Sequence, residues 1–497
     1  MIFIYLLSGL FLGFGQGANA LSNIFGTAVE TRMITFRKAA LIASIFIVLG
    51  AVIEGSGPSG TLGRLGSIDA LGGAFTVSLA AAAAIFVNVR MGIPVSSSQT
   101  IVGAIIGWNV FSGRLTDLHS IAIIGGSWVG SFLLAAGIAA LLFYAFQYWI
   151  NHSKMHLLVQ DLVVRYAIVI VGAFGAYSLG ANNIANVVGV FVHVSPFKDL
   201  NLFGIFQFDG VQQLYILGSL SIVAGIYTYS RRVIRTVGKD LFELSPVTAL
   251  VAILAEAIML FLFSSQALHR FFLKAGIPPI PLVPVSSANG IIGAIMGIAL
   301  AKGGKNIRFN VLGRISLAWI TAPLMAFLFS FVALFIVQNV FEQTVRQPVI
   351  YTFNRITVEE IKEQGFDTAA LATVNGRSFD SEQSLYKELK AQNLYDRQQL
   401  MDIIAITQEY PMQVNTAALR LKGLHKGFTP QQWKALQQLD EHTFTHKWQL
   451  KQTLAEDESW STIAKPGTEL EKSYNSKIES TLELLYKSFY YTPKKNK

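Results

Sequence analysis

The 497-residue chain is 52% hydrophobic and 14% charged, contains no cysteine and carries a formal charge of +9. This composition is typical of a protein that sits in lipid, and the missing cysteine excludes disulfides, thiolate metal sites and cysteine nucleophiles. The excess charge lies in residues 1–342 (19 Lys+Arg against 11 Asp+Glu), while residues 343–497 are nearly neutral (20 against 19), so no basic tail for nucleic acid is indicated.

Long apolar runs recur from the N-terminus to residue 338, and several exceed the roughly 18 uncharged residues that mark a membrane-spanning helix. The first run has no basic segment before it and no cleavage site after it, so we interpret it as a span rather than a signal peptide. Short connections on one side hold fourteen Lys and Arg against five on the other, which predicts an N-terminus outside the cell inner (plasma) membrane. Hydropathy predicts ten spans: 2–29, 39–55, 71–89, 94–110, 121–149, 165–193, 213–230, 243–264, 284–301 and 313–338.

Two passages of the first half return in the second half. GANALSNIFGTAV at 17–29 recurs as GANNIANVVGVFV at 180–192, and PVSSSQTIVGAIIG at 94–107 recurs as PVSSANGIIGAIMG at 284–297 with nine of fourteen positions identical. Two repeats in the same order indicate a duplication. Because each half has five predicted spans, an odd number, the copies point in opposite directions across the membrane, as in the inverted repeats of secondary transporters.

Each GAN motif places two amides four residues apart on one helix face and interrupts an apolar run with residues that weaken a helix. We expect a broken helix at each motif, because backbone groups exposed at mid-membrane need a partner, which in transporters is the substrate or a coupling ion. The alternative is that Gly and Asn only let neighbouring helices approach and hydrogen-bond. The candidate binding amides are Asn19, Asn23, Asn182, Asn183 and Asn186.

Each PVSS motif places Pro and hydroxyl residues at the head of an apolar stretch, which predicts a helix N-terminus. Free backbone N–H groups, the positive end of the helix dipole and the hydroxyls can together hold a tetrahedral oxyanion without a cationic side chain. The alternative is ordinary N-capping. The candidate hydroxyl residues are Ser96, Ser97, Ser98, Ser286 and Ser287.

Two carboxylates, Glu54 and Glu256, fall within predicted spans, where an unpaired charge costs at least about 2–3 kcal/mol. Either carboxylate suits Na⁺ binding or proton exchange, the step that couples a concentrative carrier to an ion gradient. Glu256 is the first candidate for this role, because Glu54 lies near a span end where it can reach water.

From about Glu342 the composition becomes polar and charged with helical spacing, which predicts a separate water-facing domain. An even number of spans places this domain outside. The predicted fold is therefore an all-α polytopic membrane protein with an inverted repeat of two five-span halves, containing broken or re-entrant helices, and a mainly helical soluble domain. The predicted divisions are 1–150 for the first repeat, 163–340 for the second and 343–497 for the C-terminal domain.

The two GAN-x-x-x-N segments, the two PVSS segments and AKGGKNIRFNVLGRISLAW at 301–319 resemble the inorganic phosphate transporter (PiT) family, and the resemblance covers most of residues 1–340. It implies a two-domain inverted-repeat carrier in the lipid bilayer, with phosphate as substrate and Na⁺ or H⁺ as coupling ion. No further cofactor is implied.

The chain departs from the family where acids and histidines are expected. The family's GAND signature has an Asp where this chain has Ala20 and Asn183, and its PVSTTH has a His where this chain has Gln99 and Asn289. Phosphate carries a hydroxyl proton that a carboxylate accepts, whereas sulfate has none, so a site of amides and hydroxyls suits sulfate at least as well. Gln99 and Asn289 join the two carboxylates as candidates for the coupling ion, although the missing acids weaken any Na⁺ site.

The sequence thus predicts a secondary active transporter of phosphate, with sulfate or another tetrahedral oxyanion as the alternative substrate. A channel and a non-transporting anion receptor are two further alternatives. An enzyme is disfavoured, because no nucleophile–base pair or metal cluster is found. Gly- and Ala-rich spans permit the close helix contacts of a homodimer.

Overall fold

The computed structural model describes residues 2–30, 32–66, 68–90, 95–153, 156–197, 200–202, 206–237, 245–304, 309–368, 371, 373–392, 394–421, 423–464, 466–467 and 469–491. The chain forms two compact units, Met1–Ser112 with Thr116–Gln347, and Gly113–Leu115 with Pro348–Lys497. Pro94 of the first PVSS motif, residues 243–244 of the predicted eighth span and residues 305–308 of the 301–319 segment lie outside the described residues.

The first unit is helical, apart from one antiparallel hairpin of β1 (Leu200–Leu202) and β2 (Phe206–Phe208) and a 3₁₀ helix at Gly189–Val194. Its helices are α1 (Ile2–Glu30), α2 (Phe36–Glu54), α3 (Ser56–Gly66), α4 (Leu71–Arg90), α5 (Ser97–Ser112), α6 (Leu118–His152), α7 (Leu157–Val188), α8 (Gly210–Val237), α9 (Pro246–Leu262), α10 (Gln266–Lys274), α11 (Ser287–Ala301) and α12 (Phe309–Asn339).

Seven of the described helices are long and apolar enough to cross a membrane, and α9 with α10, which meet at 65°, makes an eighth span if the pair is taken together. The prediction of ten full spans is wrong, because the predicted spans 94–110 and 284–301 form only α5 and α11. Helices of 16 and 15 residues reach about 24 and 22 Å, short of the roughly 30 Å hydrocarbon core. The protein is a multi-pass α-helical membrane protein, and its described helices include α5 and α11, which are too short to span, and one bent pair.

Both GAN motifs lie inside continuous helices, α1 and α7, so the expectation of a broken helix at each motif is wrong. Their glycines serve close packing instead. A Cβ on Gly17 would lie 1.9 Å from the carbonyl oxygen of Ile222 in α8, and a Cβ on Gly180 would lie 2.2 Å from that of Ile47 in α2. The helix backbones touch at these points, and the backbone hydrogen bonds stay within each helix.

Helix packing repeats between the two halves. Helix α1 packs along α8 as α7 packs along α2, and α5 packs along α12 as α11 packs along α6. Likewise α4 contacts α1 and α5, while α9 contacts α7 and α11. A two-fold relation between the halves produces such matching pairs of helix contacts. The inversion of one half across the bilayer and the side of the N-terminus stay predictions.

The buried core of the first unit runs through α1, α2, α4, α5, α7 and α9, where Ala, Ile and Val side chains interlock. Helices α6 and α12 instead expose large apolar side chains, among them Leu141 (72% exposed) and Ile320 (68% exposed). Apolar exposure on this scale is expected where a helix faces lipid rather than water.

The second unit contains two copies of one arrangement, which the sequence analysis did not predict. In each copy a short strand, a helix, a second short strand and further helices enclose one apolar core. Buried residues match at a spacing of 65 positions, as in Leu385 with Leu450 and Leu389 with Leu454. The first copy has β3 (Tyr351–Thr352), α13 (Arg355–Glu363), β4 (Ser378–Phe379), α14 (Glu382–Lys390) and α15 (Arg397–Thr407). The second has β5 (Met412–Gln413), α16 (Thr416–Leu421), α17 (Pro430–Gln438), β6 (Thr443–Phe444), α18 (Lys447–Ala455) and α19 (Glu469–Phe489), with 3₁₀ helices at Leu424–Gly427 and Glu458–Trp460.

The second unit also takes in Gly113–Leu115, far from it in sequence. The start of α14 binds these residues: the backbone N–H of Gln383 donates to the carbonyl of Gly113 (2.9 Å), and the backbone N–H of Leu115 donates to the carboxylate of Glu382 (3.0 Å). Gly113 has a φ of +72°, a conformation that favours glycine. The second unit is therefore discontinuous, whereas residues 343–497 were predicted to form a separate domain.

Candidate functional site

The two PVSS motifs open the short helices α5 and α11, and the prediction that they form helix N-termini is confirmed. Ser286 caps α11, because its Oγ accepts a hydrogen bond from the backbone N–H of Asn289 (3.1 Å). Ser96 stands in the same place before α5, and its Oγ accepts from the backbone N–H of Gln99 (3.3 Å). Of the predicted serines, Ser96 and Ser286 therefore stabilise the helix starts.

The next serine of each motif is held by an amide from the other half of the chain. Asn186 of α7 donates through Nδ2 to the hydroxyls of Ser97 (3.5 Å) and Ser98 (3.0 Å) at the start of α5. In the matching place Asn23 of α1 donates to the hydroxyl of Ser287 at the start of α11 (3.4 Å). The structure thus brings the second asparagine of each GAN motif to the PVSS motif of the opposite half.

A proline-rich extended segment, residues 277–285, which we call the strap, leads from α10 into the PVSS motif that opens α11. Asn182 holds it with both ends of its amide: Nδ2 donates to the carbonyl of Val283 (3.1 Å), and Oδ1 accepts from the N–H of Val285 (3.0 Å). The carbonyl of Val285 in turn accepts from the hydroxyl of Ser98 (2.9 Å). Sequence reasoning missed the strap, although the run of prolines before Ser286 signals an extended backbone.

Asn19, the counterpart of Asn182 in the first half, is exposed. Its carbonyl accepts from the hydroxyl of Ser22 (2.7 Å), and no described hydrogen bond joins its side chain to another candidate residue. The residues that would correspond to the strap, 91–94, lie outside the described part of the chain. The two asparagines therefore differ in their surroundings: Asn182 is buried and hydrogen-bonded to the strap, whereas the side chain of Asn19 is exposed.

Several buried polar atoms of the candidate residues have no hydrogen-bond partner among the described residues. A buried polar atom without a partner costs roughly 1–3 kcal/mol, so each of them indicates a place that a ligand, an ion or water satisfies. Four are oxygens and one is an amide nitrogen, and the oxygens suit a cation or a protonated oxyanion. They are Gln99 Oε1, Asn183 Oδ1, Asn186 Oδ1, Glu256 Oε1 and Asn289 Nδ2.

The two candidate carboxylates have different surroundings. Glu256 of α9 is 2% exposed and lies against the first turn of α11, where a Cβ on Gly290 would be 3.5 Å from Glu256 Cγ. Glu54, at the end of α2, accepts from the backbone N–H of Gln266 (2.8 Å) and from the hydroxyl of Ser265 (3.3 Å). Its described hydrogen bonds therefore hold the start of α10 rather than reaching an Asn or Ser of the site.

The site can bind an anion through neutral donors. Apart from the N–H groups of Gln99 and Asn289, which the capping serines satisfy, the first-turn N–H groups of α5 and α11 have no intrahelical acceptor. The dipoles of both helices place partial positive charge at the same ends. Ser97 and Ser287 are half-buried, and each hydroxyl accepts one long bond from an asparagine and keeps its own proton for another partner. No Lys or Arg side chain is among the described hydrogen-bond partners of these residues.

A sequence model of the phosphate transporter family matches residues 16–269 and 282–475, most of the chain. The chain belongs to the phosphate transporter family. It is accordingly a transport protein and not an enzyme.

Individual relatives agree with the family. A protein of Methanocaldococcus jannaschii named "Putative phosphate permease" is 28% identical over 327 residues, which cover 66% of this chain and 95% of the relative. A relative of the same name from Haemophilus influenzae is 26% identical and covers 69% of this chain and 97% of its own length. A solved structure of a sodium-dependent phosphate transporter superposes with a TM-score of 0.54 at 21% identity, covers 68% of this chain and 98% of that one, and shows the same fold.

Proposed function

We propose that this protein is a secondary active transporter that moves inorganic phosphate across the cell membrane by alternating access. The observation that supports this proposal most is a pair of hydrogen bonds between the two halves. Asn186 donates to Ser97, and Asn23 donates to Ser287. A site shared by two related halves opens to one side or the other when the halves move relative to each other.

In this proposal the phosphate binds between the starts of α5 and α11. The hydroxyls of Ser97 and Ser287 and the first-turn N–H groups donate to its oxygens, and helix dipoles supply the positive potential. Asn23 and Asn186 orient the two serines. Asn182 acts one step further away, because it fixes the strap that leads into Ser286 and so positions the start of α11.

Coupling to a cation, Na⁺ or H⁺, is the second part of the proposal. A carboxylate that is buried with an unbonded oxygen, as in Glu256, is stable when it holds a proton or a cation. The amide oxygens of Gln99, Asn183 and Asn186 are further buried acceptors without a partner among the described residues. Hard oxygen donors of this kind suit Na⁺, and a carboxylic acid suits proton exchange. The hydrogen bonds of Glu54 favour a structural part for that residue.

The absence of the family's two aspartates keeps sulfate as the competing substrate, since Ala20 and Asn183 cannot accept the hydroxyl proton of phosphate as a carboxylate does. Asn183 Oδ1 nevertheless remains an acceptor for that proton, as does Glu256. These two acceptors favour phosphate over sulfate in this chain.

The test is uptake of labelled phosphate and labelled sulfate into proteoliposomes, with and without an inward Na⁺ gradient or proton gradient. We expect gradient-driven phosphate accumulation that excess phosphate suppresses and excess sulfate does not. Accumulation of sulfate alone would assign a changed specificity. Flux that never exceeds equilibrium would indicate a channel, and binding without flux would indicate a receptor.

A further inference from the structure

Helix α10 belongs to an excursion of the second half that the first half lacks. Helix α4 ends at Arg90 and the first PVSS motif begins at Pro94, whereas α9 ends at Leu262 and the second motif begins at Pro284. Residues 263–283 thus occupy a place that three residues fill in the first half. The matched family segments also leave residues 270–281 uncovered. Because the first half has no counterpart of α10, a transport site formed by two related halves does not account for this helix.

The surface of α10 is amphipathic and open. Arg270 and Lys274, four residues apart, share one side of the helix. Leu268 and Phe272, also four residues apart, share the opposite side, and Phe271 lies between these two sides. None of its residues is buried, and Phe271 is 61% exposed. Neither cation forms a salt bridge with a described residue. A short helix with exposed aromatic and cationic sides is the pattern of an element that lies in the boundary between lipid and water.

Hydrogen bonds join α10 to the end of α2, to Ser56 and to the strap. At its start the carboxylate of Glu54 accepts from the backbone N–H of Gln266, and the side-chain amide of Gln266 donates to the hydroxyl of Ser56 (2.7 Å). On its far side the ring Nδ1 of His269 lies 2.9 Å from the carbonyl oxygen of Ile280 in the strap. The strap continues to Val283 and Val285, which Asn182 holds.

We propose that α10 binds the anionic surface of a phospholipid bilayer, with its phenyl side in the lipid and Arg270 and Lys274 on headgroup phosphates. Charge complementarity selects this occupant, because two cations without acidic partners flank an apolar side on a helix attached to a membrane-spanning unit. Since α10 is hydrogen-bonded to the strap through His269, its position at the headgroups sets how the strap meets Asn182. Lipid charge thereby regulates the rate at which the site opens.

The first test locates the helix. The chain has no cysteine, so single spin labels can be placed at Phe272→Cys and Lys274→Cys, which lie on opposite sides of α10, with Ile320→Cys in α12 as the lipid-exposed reference. In phosphatidylglycerol-containing vesicles we expect the label at 272 to collide with oxygen more than with a water-soluble nickel reagent, as at 320, and the label at 274 to show the reverse. A label at 272 as accessible to nickel as that at 274 would overturn the proposal.

The second test measures regulation and uses the proposed transport as its readout. Each cation near an anionic surface is worth a roughly fivefold preference for the charged lipid. Phosphate uptake in phosphatidylcholine vesicles should therefore rise when phosphatidylglycerol is added, and Arg270→Gln/Lys274→Gln should lose most of this rise. Lys387→Gln/Lys390→Gln, which removes two exposed cations from α14, should keep it.

The outcomes separate this proposal from other causes. A double variant with the same lipid dependence as the parent protein contradicts lipid binding. If the double variant has a KM for phosphate that is raised equally in vesicles with and without phosphatidylglycerol, Arg270 and Lys274 attract free phosphate instead, which contradicts lipid binding. If no phosphate moves under any condition, the proposed transport fails, while the spin-label result still decides where α10 lies.

Discussion

Gly180 shows how one missing side chain sets the distance between two spans. Its counterpart Gly17 meets α8 in the same way, and both glycines belong to motifs that we first associated with broken helices. Glycine weakens an isolated helix, but a helix buried among others keeps its hydrogen bonds and uses the missing Cβ for contact. The sequence shows that Gly and Asn weaken the helix, but it does not show which neighbouring helix approaches the glycine. The location of the motif was therefore predictable, and its structural role was not.

We predict that Gly180→Ala destabilises the protein, because the new Cβ would lie 2.2 Å from the carbonyl oxygen of Ile47 and must push α7 away from α2. Overpacking of this kind costs about 1–3 kcal/mol. Thermal unfolding in detergent or nanodiscs measures the effect. Gly137→Ala in α6 is the matched control, since nothing lies within 4 Å of its added methyl group. Equal melting temperatures for the two variants would contradict the close contact.

Among elements, the two short helices α5 and α11 provide the helix starts of the proposed site. Their N-termini were predictable, because Pro followed by Ser before an apolar run is a local signal. Their failure to span the membrane was not, since an apolar run continued through the connections on either side and hydropathy alone counted them as spans. The strap was missed for a related reason: its hydrogen bonds go to Asn182, about a hundred residues earlier in the chain.

We predict that neighbouring serines of α11 separate into a stabilising residue and a binding residue. Ser286→Ala removes the cap that accepts from the N–H of Asn289, which costs about 1 kcal/mol, and lowers the melting temperature. Ser287→Ala leaves the cap intact and removes a hydroxyl that we propose donates to phosphate, so we expect a raised KM for phosphate with little change in melting temperature. The idea fails if Ser287→Ala lowers the melting temperature as much as Ser286→Ala and leaves KM unchanged.

At the scale of the whole molecule, the second unit is a duplication that the sequence conceals. Matching positions such as Leu385 and Leu450 keep their apolar character, but the residues between them differ so much that no repeated motif is visible. The motifs of the first unit are visible because the same Gly, Asn, Pro and Ser residues recur in both copies. Core positions accept many apolar side chains, so a fold can repeat where the sequence does not.

The second unit should lose stability in mild acid through His446. This residue is 1% exposed, its Nδ1 lies 2.8 Å from the carbonyl oxygen of Gln408, and burial lowers the pKa of its ring while that carbonyl and Glu409 oppose the shift. Because the folded-state pKa lies below the ordinary 6.5, the unfolded state takes up the proton first, and stability is lost as the pH falls below about 6.5.

Hydrogen exchange of α15 and α18 at pH 7.5 and pH 5.5, conditions chosen on either side of that ordinary value, measures this loss. We expect faster exchange at the lower pH, after correction for the intrinsic rate, in the parent protein. His446→Asn keeps a donor for Gln408 without a titrating ring, and it should reduce the difference. His442→Asn changes an exposed histidine and should not. An unchanged difference in His446→Asn would contradict the assignment.

A site shared by the two halves is the central feature of the proposed transporter, and phosphate binding by matched asparagine variants tests it directly. Asn23→Ala and Asn186→Ala each release a serine of the opposite half, and losing one hydrogen-bonded group that orders a charged ligand weakens binding about 10- to 100-fold. Asn339→Ala, on an exposed amide at the end of α12, is the control. We predict that both site variants bind phosphate weakly while the control binds as the parent protein does; parental affinity in either site variant would contradict a site built from both halves.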